Sequence, residues 1–200
     1  MGDINHQSVD QRRKFGKQYL DGLTKCLAAL ELDQIAEVIG YLDEAIRNGS
    51  RIFIIGNGGS AATASHMACD LGKNTFHASF TDPANRFQVM ALTDNTPWIT
   101  ALANDLGYDY IFSEQLKNLV AEGDLVIAIS GSGNSQNILE GIATAKKLQA
   151  KVVGLLGLDG GKAKDMVDAY ILVESDNYGY IEDIHMVLDH MLTSFFQLKA

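Results

Sequence analysis

Two apolar runs, each closed by glycine and serine and followed by a helix-forming segment, set the limits on what this chain can fold into. The first is R-I-F-I-I-G-N-G-G-S, from Arg51 to Ser60, and the second is D-L-V-I-A-I-S-G-S-G-N-S, from Asp124 to Ser135. Their apolar parts show no alternation, which marks strands buried on both faces. Glycine tolerates positive φ and lets backbone approach a ligand closely. Ser60 is expected to cap the alanine-rich helix behind the first loop. A strand, a small-residue turn and a helix N-terminus together make an anion site, because free N–H groups and the helix dipole both favour phosphate. Serine hydroxyls in the second loop add donors without a formal cation. Neither loop is a dinucleotide G-x-G-x-x-G or a Walker sequence. An ordinary βα turn is the plain alternative for each.

Three further runs read as strands: Phe87–Leu92, Lys151–Leu156 and Tyr170–Val173. Helical periodicity fills the segments between them, including Tyr108–Ala121, a segment from about Gln136, and a last helix over Tyr180–Leu198. Five apolar strands alternating with helices predict a parallel sheet covered on both faces. Ligands in such sheets sit beyond the carboxyl ends of the strands, where both glycine–serine loops fall. Two helices precede the first strand. Phe15, Tyr19, Leu23, Leu27 and Leu30 line one. Ile35, Val38, Ile39, Leu42, Ala45 and Ile46 line the other, with Asp33 as expected N-cap and Gly49 as stop. Lys73–Arg86 reads as a loop. The N-terminal pair carries more apolar stripe than one sheet edge needs, so it is expected to pack in an oligomer.

A net charge of −9 argues against a nucleic-acid footprint but leaves phosphate ligands open, since local N–H groups can bind them. Two cysteines, Cys26 and Cys69, fall in no pairing motif, which fits a reduced cytoplasmic protein. No run reaches the ~18–20 apolar residues of a membrane span.

His66 and Asp70 follow the first loop on its helix. Spaced i, i+4, they share a face and form a candidate acid/base or metal pair. Together with A-N-D-L-G at 103–107, S-G-S-G-N-S, D-G-G-K and a C-terminal E-D-I-H-x-x-x-x-H, this order of motifs resembles the SIS (sugar isomerase) domain family, above all its phosphoheptose isomerase branch. The resemblance runs from the N-terminal helices to the end. It implies a single domain over 1–200 with the 8–48 helices in the oligomer, a flavodoxin-like αβα sandwich with a five-stranded parallel sheet, a homotetramer with sites between subunits, and one zinc ion per site. It places Asn57, Gly58, Gly59, Ser60, Asn104, Asp105 and Glu182 at the substrate, and Ser130, Gly131, Ser132 and Ser135 at its phosphate. It places His66, Asp70, Glu182 and His190 at the metal, with Asp70 and His190 as the catalytic pair.

Four features depart from the family pattern. Asp70 stands where Glu is usual, Glu182 where Gln is usual and Gly131 where Thr is usual, and the D-N-Y-G-Y segment before the last helix also differs. The expected activity is aldose–ketose isomerisation of sedoheptulose 7-phosphate through an enediol, which needs a carbon base, an oxygen acid/base and a carbonyl polariser. A different phosphosugar is one alternative. A non-catalytic SIS phosphosugar sensor, or a scaffold that binds a replication initiator, is another. One constraint comes from geometry alone. Glu182 and His190 are eight residues apart, roughly 12 Å along a helix, too far for both to reach one ion from one straight helix. Glu182 must lie at a non-helical entry, or the two must serve different sites across a subunit interface. His185 reads as structural, and His6 and His77 as solvated.

Overall fold

In the computed structural model, which describes residues 8–75 and 86–198, five parallel strands form one sheet in the order β2-β1-β3-β4-β5. They are β1 Arg51–Gly56, β2 Gln88–Ala91, β3 Leu125–Ser130, β4 Lys151–Gly157 and β5 Ala169–Val173. The helices are α1 Val9–Ala28, α2 Leu32–Asn48, α3 Gly59–Cys69, α4 Thr96–Asp105, α5 Ser113–Leu119, α6 Gln136–Lys147 and α7 Tyr178–Leu198.

Strand pleating divides the core. Ile52, Ile54, Ile127, Ile129, Val153 and Leu155 face α2, α3 and α7, whose Leu42, Met67, Ile184 and Leu188 are buried with them. Phe53, Ile55, Val126, Ala128, Val152 and Leu156 face the other way, toward Phe112 and Leu116 of the α5 side and Ile138 and Ile142 of α6. That is the expected three-layer αβα sandwich, each strand burying both its faces. The strand order reverses direction at β1, so the carboxyl ends of β1 and β3 lie side by side, with Gly56 paired to Ile129. The two glycine–serine loops therefore leave the sheet next to each other, at the crevice where such sheets bind ligands.

Local signals explain most boundaries, and several differ from the expectations above. Ser8 and Gln11 form a reciprocal capping box that starts α1. Gly49, at φ 65°, ends α2 in the left-handed conformation that glycine favours. Asp33 is not the cap of α2; Glu31 occupies that position, and Asp33 lies in the first turn, where its charge suits the helix dipole. Ser60 likewise is inside α3. Gly58 is its N-cap, at φ 55°, a conformation costly for serine and cheap for glycine. Tyr108–Ala121 is not one helix but a 3-10 turn at Tyr108–Tyr110 followed by α5, because Phe112 is turned into the core between them. α7 begins two residues before Tyr180. Asp70–Asn74 continues α3 as a π-helical turn, so the expected 73–86 loop starts helically; its middle, with His77, and the polar N-terminus with His6 lie outside the described residues.

α1 packs on α7. The Tyr19 hydroxyl donates to Asp183 at 2.6 Å, and its ring meets Tyr180 edge-on at 4.8 Å. That acceptor pushes the Tyr19 hydroxyl up to about 12. Yet α1 buries no residue fully, and Phe15 and Leu20 stand 67% and 63% exposed.

Candidate active site

Between the two loops lies a pocket of about 210 Å³ lined by Asn57, Ser60, Ser130, Gly131, Ser132, Ser135, Tyr178 and Glu182. Its floor is built by the serine loop itself. Gly133 N–H donates to Ser130 Oγ at 3.0 Å, and Asn134 N–H donates to Ser132 Oγ at 3.2 Å. Both hydroxyls are thereby aimed, and each keeps its own O–H as a donor. Ser135 is the N-cap of α6 and makes no side-chain capping bond, so its hydroxyl is also available. Across the pocket, Asn57 is fixed by a reciprocal amide pair. It donates to Asn137 Oδ1 at 2.7 Å, accepts from Asn137 Nδ2 at 2.9 Å, and accepts from the Tyr108 hydroxyl at 3.0 Å. The pocket is small for a whole ligand and offers mainly neutral donors beside two helix N-termini, which suits a phosphate group and its adjoining carbons.

Two departures noted in the sequence explain each other here. A Cβ added at Gly131 would stand 3.0 Å from the Tyr178 ring. The aromatic ring of D-N-Y-G-Y thus occupies the space that a threonine at 131 would need.

α3 and α7 both start at this pocket and run away from it together. At their near end a Cβ on Gly59 would run into the Glu182 carboxylate, so this acid stands over the first turn of α3, where the dipole favours it. About two turns further along, roughly 10 Å by helix rise, His66 and Asp70 of α3 meet His190 of α7. His66 Nε2 lies 3.1 Å from His190 Nε2 and 3.4 Å from Asp70 Oδ2, which is 3.9 Å from His190 Nε2. Asn74, one turn on, donates to the other Asp70 oxygen at 2.9 Å and fixes the carboxylate. The π-turn begins at Asp70, a geometry common at functional sites.

The fourth group here is Asp189. Ligand atoms of His66, Asp70, Asp189 and His190 all lie within 4.8 Å of one another. Glu182 is not among them. It belongs to α7 itself, so it has no non-helical entry, and within one chain it lines the pocket between the loops instead of joining the histidines. Asn104 and Asp105 are also not brought to the pocket. They sit exposed at the end of α4, where Asn104 donates to Asp105 at 2.8 Å. Sequence reasoning missed Tyr178, Asn137 and Asp189. Only Asp189 left a local trace, as the i+4 neighbour of His185 on an apolar helix face.

His185 and Asp189 are buried, and neither makes a hydrogen bond of normal geometry. Burial pushes the His185 imidazole down to about 4, with the Leu156 backbone pulling weakly the other way. Burial, and then the charge of Asp70, pushes Asp189 up to about 7, with His66 and Thr193 opposing. The consequences for stability have opposite signs. His185 binds fewer protons folded than unfolded, so its contribution is lost as pH falls from about 6.5 to about 4, worth about 3 kcal/mol in all. Asp189 binds more protons folded, so its contribution is lost as pH rises from about 4 to about 7. In metal-free protein the two trends oppose. Asp189→Leu is expected to leave a Tm that climbs from pH 4 to 6.5, and His185→Leu a Tm that falls from pH 4 to 7. Calorimetry across that range checks both; parallel profiles in the two variants would contradict the assignment.

The fold and the loops define a class first. The family model for the SIS domain matches residues 18–157, and the chain belongs to that family. Within it, the chain is 40% identical over 151 residues to a phosphoheptose isomerase from a Nitratiruptor species, covering 76% of this chain and 78% of the relative. It is 36% identical over 184 residues to that of Geobacter sulfurreducens, covering 92% and 93%. The solved phosphoheptose isomerase of Neisseria gonorrhoeae superposes with a TM-score of 0.84 at 27% identity, over 94% of this chain and 98% of that one. Among the described residues no helix is long and apolar enough to cross a membrane.

Proposed function

We propose that this chain is a phosphoheptose isomerase that interconverts sedoheptulose 7-phosphate and D-glycero-D-manno-heptose 7-phosphate through an enediol. The observation that carries the reading is the pairing of α3 and α7: a phosphate-type pocket at one end and a His–Asp group at the other, about one extended seven-carbon phosphosugar apart. Ser130, Ser132, Ser135 and the first amides of α6 hold the phosphate. Asn57, locked by Asn137, orients the hydroxyls beside it. Asp70 takes the carbon-bound proton, which exchanges with solvent while the enediol lasts, and delivers a proton to the neighbouring carbon, while His190 exchanges protons with the oxygens. The residues also fit a zinc ion: two imidazoles and carboxylate oxygens are a usual donor set, and both oxygens of buried Asp189 lack a partner. When bound, zinc would supply a positive charge that polarises the substrate carbonyl. We also propose a homotetramer, supported by the exposed apolar side chains of α1, in which Asn104 and Asp105 would serve a neighbour's site. Cys26 and Cys69, both free, fit a reducing cytoplasm.

The test is to incubate purified protein with sedoheptulose 7-phosphate in D2O. The expected result by NMR is an aldose product carrying deuterium at C2, with light scattering at about four times 21.7 kDa. Ser132→Ala with Ser135→Ala should raise KM at least tenfold, the scale of lost hydrogen bonds to a charged group. Tight binding of the sugar phosphate without turnover would replace this reading with a sensor, and a stable monomer would remove the tetramer.

A further inference from the structure

Asp189 is fully buried on a helix face it shares with apolar Ile181, Ile184, Leu188 and Leu192 and with the buried His185 one turn before it. Neither carboxylate oxygen has a hydrogen-bond partner, nor does the buried Thr193 hydroxyl one turn beyond. A buried carboxyl without a partner costs a fold either as an unpaired charge or as a neutral acid lacking its hydrogen bonds, and a bound cation would relieve both costs. The donor groups gathered around it among the described residues are those of His66, Asp70 and His190.

Their spacing is that of a coordination shell. Three donor atoms stand 3.1, 3.4 and 3.9 Å apart, while the edges of a tetrahedron around zinc, with ligands at ~2.0–2.1 Å, are ~3.4 Å. Asp189 closes the set from the buried side, with every donor pair inside 4.8 Å. Two carboxylates and two neutral imidazoles also balance a divalent charge, which a buried site requires. Glu182 is two turns of α7 away, exposed, and stands over Gly59 at the phosphate pocket.

We infer that Asp189 is the fourth protein ligand of a divalent ion held by His66, Asp70 and His190, and that Glu182 serves the sugar-phosphate pocket instead. This rests on the zinc reading above. It removes the difficulty of the eight-residue spacing, because Asp189 and His190 are adjacent and approach the same α3 pair from the same turn of α7. Thr193 would steady the second oxygen of Asp189, as groups behind metal ligands commonly do.

The experiment titrates the metal-stripped full chain with Co2+, read by its ligand-field absorption, and with Zn2+ against a chromophoric chelator. Wild type, Asp189→Asn, Asp189→Leu and Glu182→Gln are compared. Wild type is expected to bind one equivalent with the intense bands of four-coordinate cobalt. Both Asp189 variants should lose roughly 100-fold or more in affinity, beyond the scale of a lost group behind a ligand, and show altered bands. Glu182→Gln should stay within about threefold of wild type, since Glu182 stands two turns of α7 away from the shell. Folding is controlled by Tm. Metal-free Asp189→Leu should melt above wild type, because it replaces an unpartnered buried carboxyl by an apolar side chain, and zinc should raise the Tm of wild type but not of this variant. Unchanged affinity in the Asp189 variants, or loss of metal in Glu182→Gln alone, would overturn the inference while leaving the zinc reading intact. A wild type that binds neither ion would overturn both.

Discussion

His190→Gln is expected to lower kcat by two or more orders of magnitude while leaving KM within a few-fold. The imidazole is 56% exposed at the side chain and projects from α7 toward His66 and Asp70, so its loss removes little packing. Surface changes of that kind shift stability by no more than about 0.5 kcal/mol. Chemistry is another matter. Glutamine keeps a polar tip of similar reach but cannot take up and release a proton, and losing a positioned acid/base costs ~10²–10⁴ in rate. The pocket proposed for the phosphate lies roughly 10 Å back along the helix pair, with its serine hydroxyls untouched, so ground-state binding has no reason to fail. The kcat–KM split is therefore the reading to take, in stopped assays at saturating zinc so that weakened metal binding is not mistaken for a lost proton shuttle. Equal turnover in wild type and variant would mean the proton work is done elsewhere. A raised KM with unchanged kcat would place His190 at the phosphate instead.

How much of this was legible in the sequence follows from the range of each interaction. The strands, the parallel sheet and the two small-residue loops are written locally, in unbroken β-branched runs ending in glycine. The His66–Asp70 pair is local too, one helical turn apart, and the 3.4 Å contact needs nothing from the rest of the chain. Partners from distant segments are different. Nothing near Asn57 announces Asn137, eighty residues on, and nothing near Gly131 announces the Tyr178 ring that fills the vacated space. The resemblance assigned Glu182 by position to both substrate and metal; within one chain it lines the pocket between the loops, and the 1.5 Å rise per residue sets it two turns of α7 from His190. Asp189 was passed over for a related reason. A lone acid on an apolar stripe reads as surface until its burial is known. Cap placement failed at Ser60 because the steric demand at Gly58, a positive φ, outweighs the hydrogen-bonding preference of serine.

The same range argument bears on the largest structural effect expected of a single methyl group, at Gly133. Its φ is 61°, where an alanine costs about 1–2 kcal/mol. A Cβ there would also run into the Gly160 carbonyl, on the D-G-G-K turn that follows β4. The two turns are interlocked. Ala163 N–H donates to the Gly133 carbonyl at 2.9 Å, and Lys162 N–H donates to Asn134 Oδ1 at 3.2 Å. Asn134 Nδ2 donates to the Ser132 carbonyl at 2.9 Å, and Gly161, at φ 51°, leaves no room for a side chain beside it. Backbone meeting backbone cannot relax by rotating a side chain, so the loops must part, adding about 1–3 kcal/mol of overpacking. Gly133→Ala should therefore lower Tm by about 10 °C in a chain of this size. It should also raise KM tenfold or more, since Gly133 N–H holds the Ser130 hydroxyl in place. Gly123→Ala is the matched control: φ is 84°, but nothing lies within reach of the added carbon, so only the backbone strain remains. If the two variants melted together and bound substrate alike, the interlock would not be holding the phosphate loop. If Gly133→Ala lost stability but kept its KM, the serines would be positioned by α6 alone.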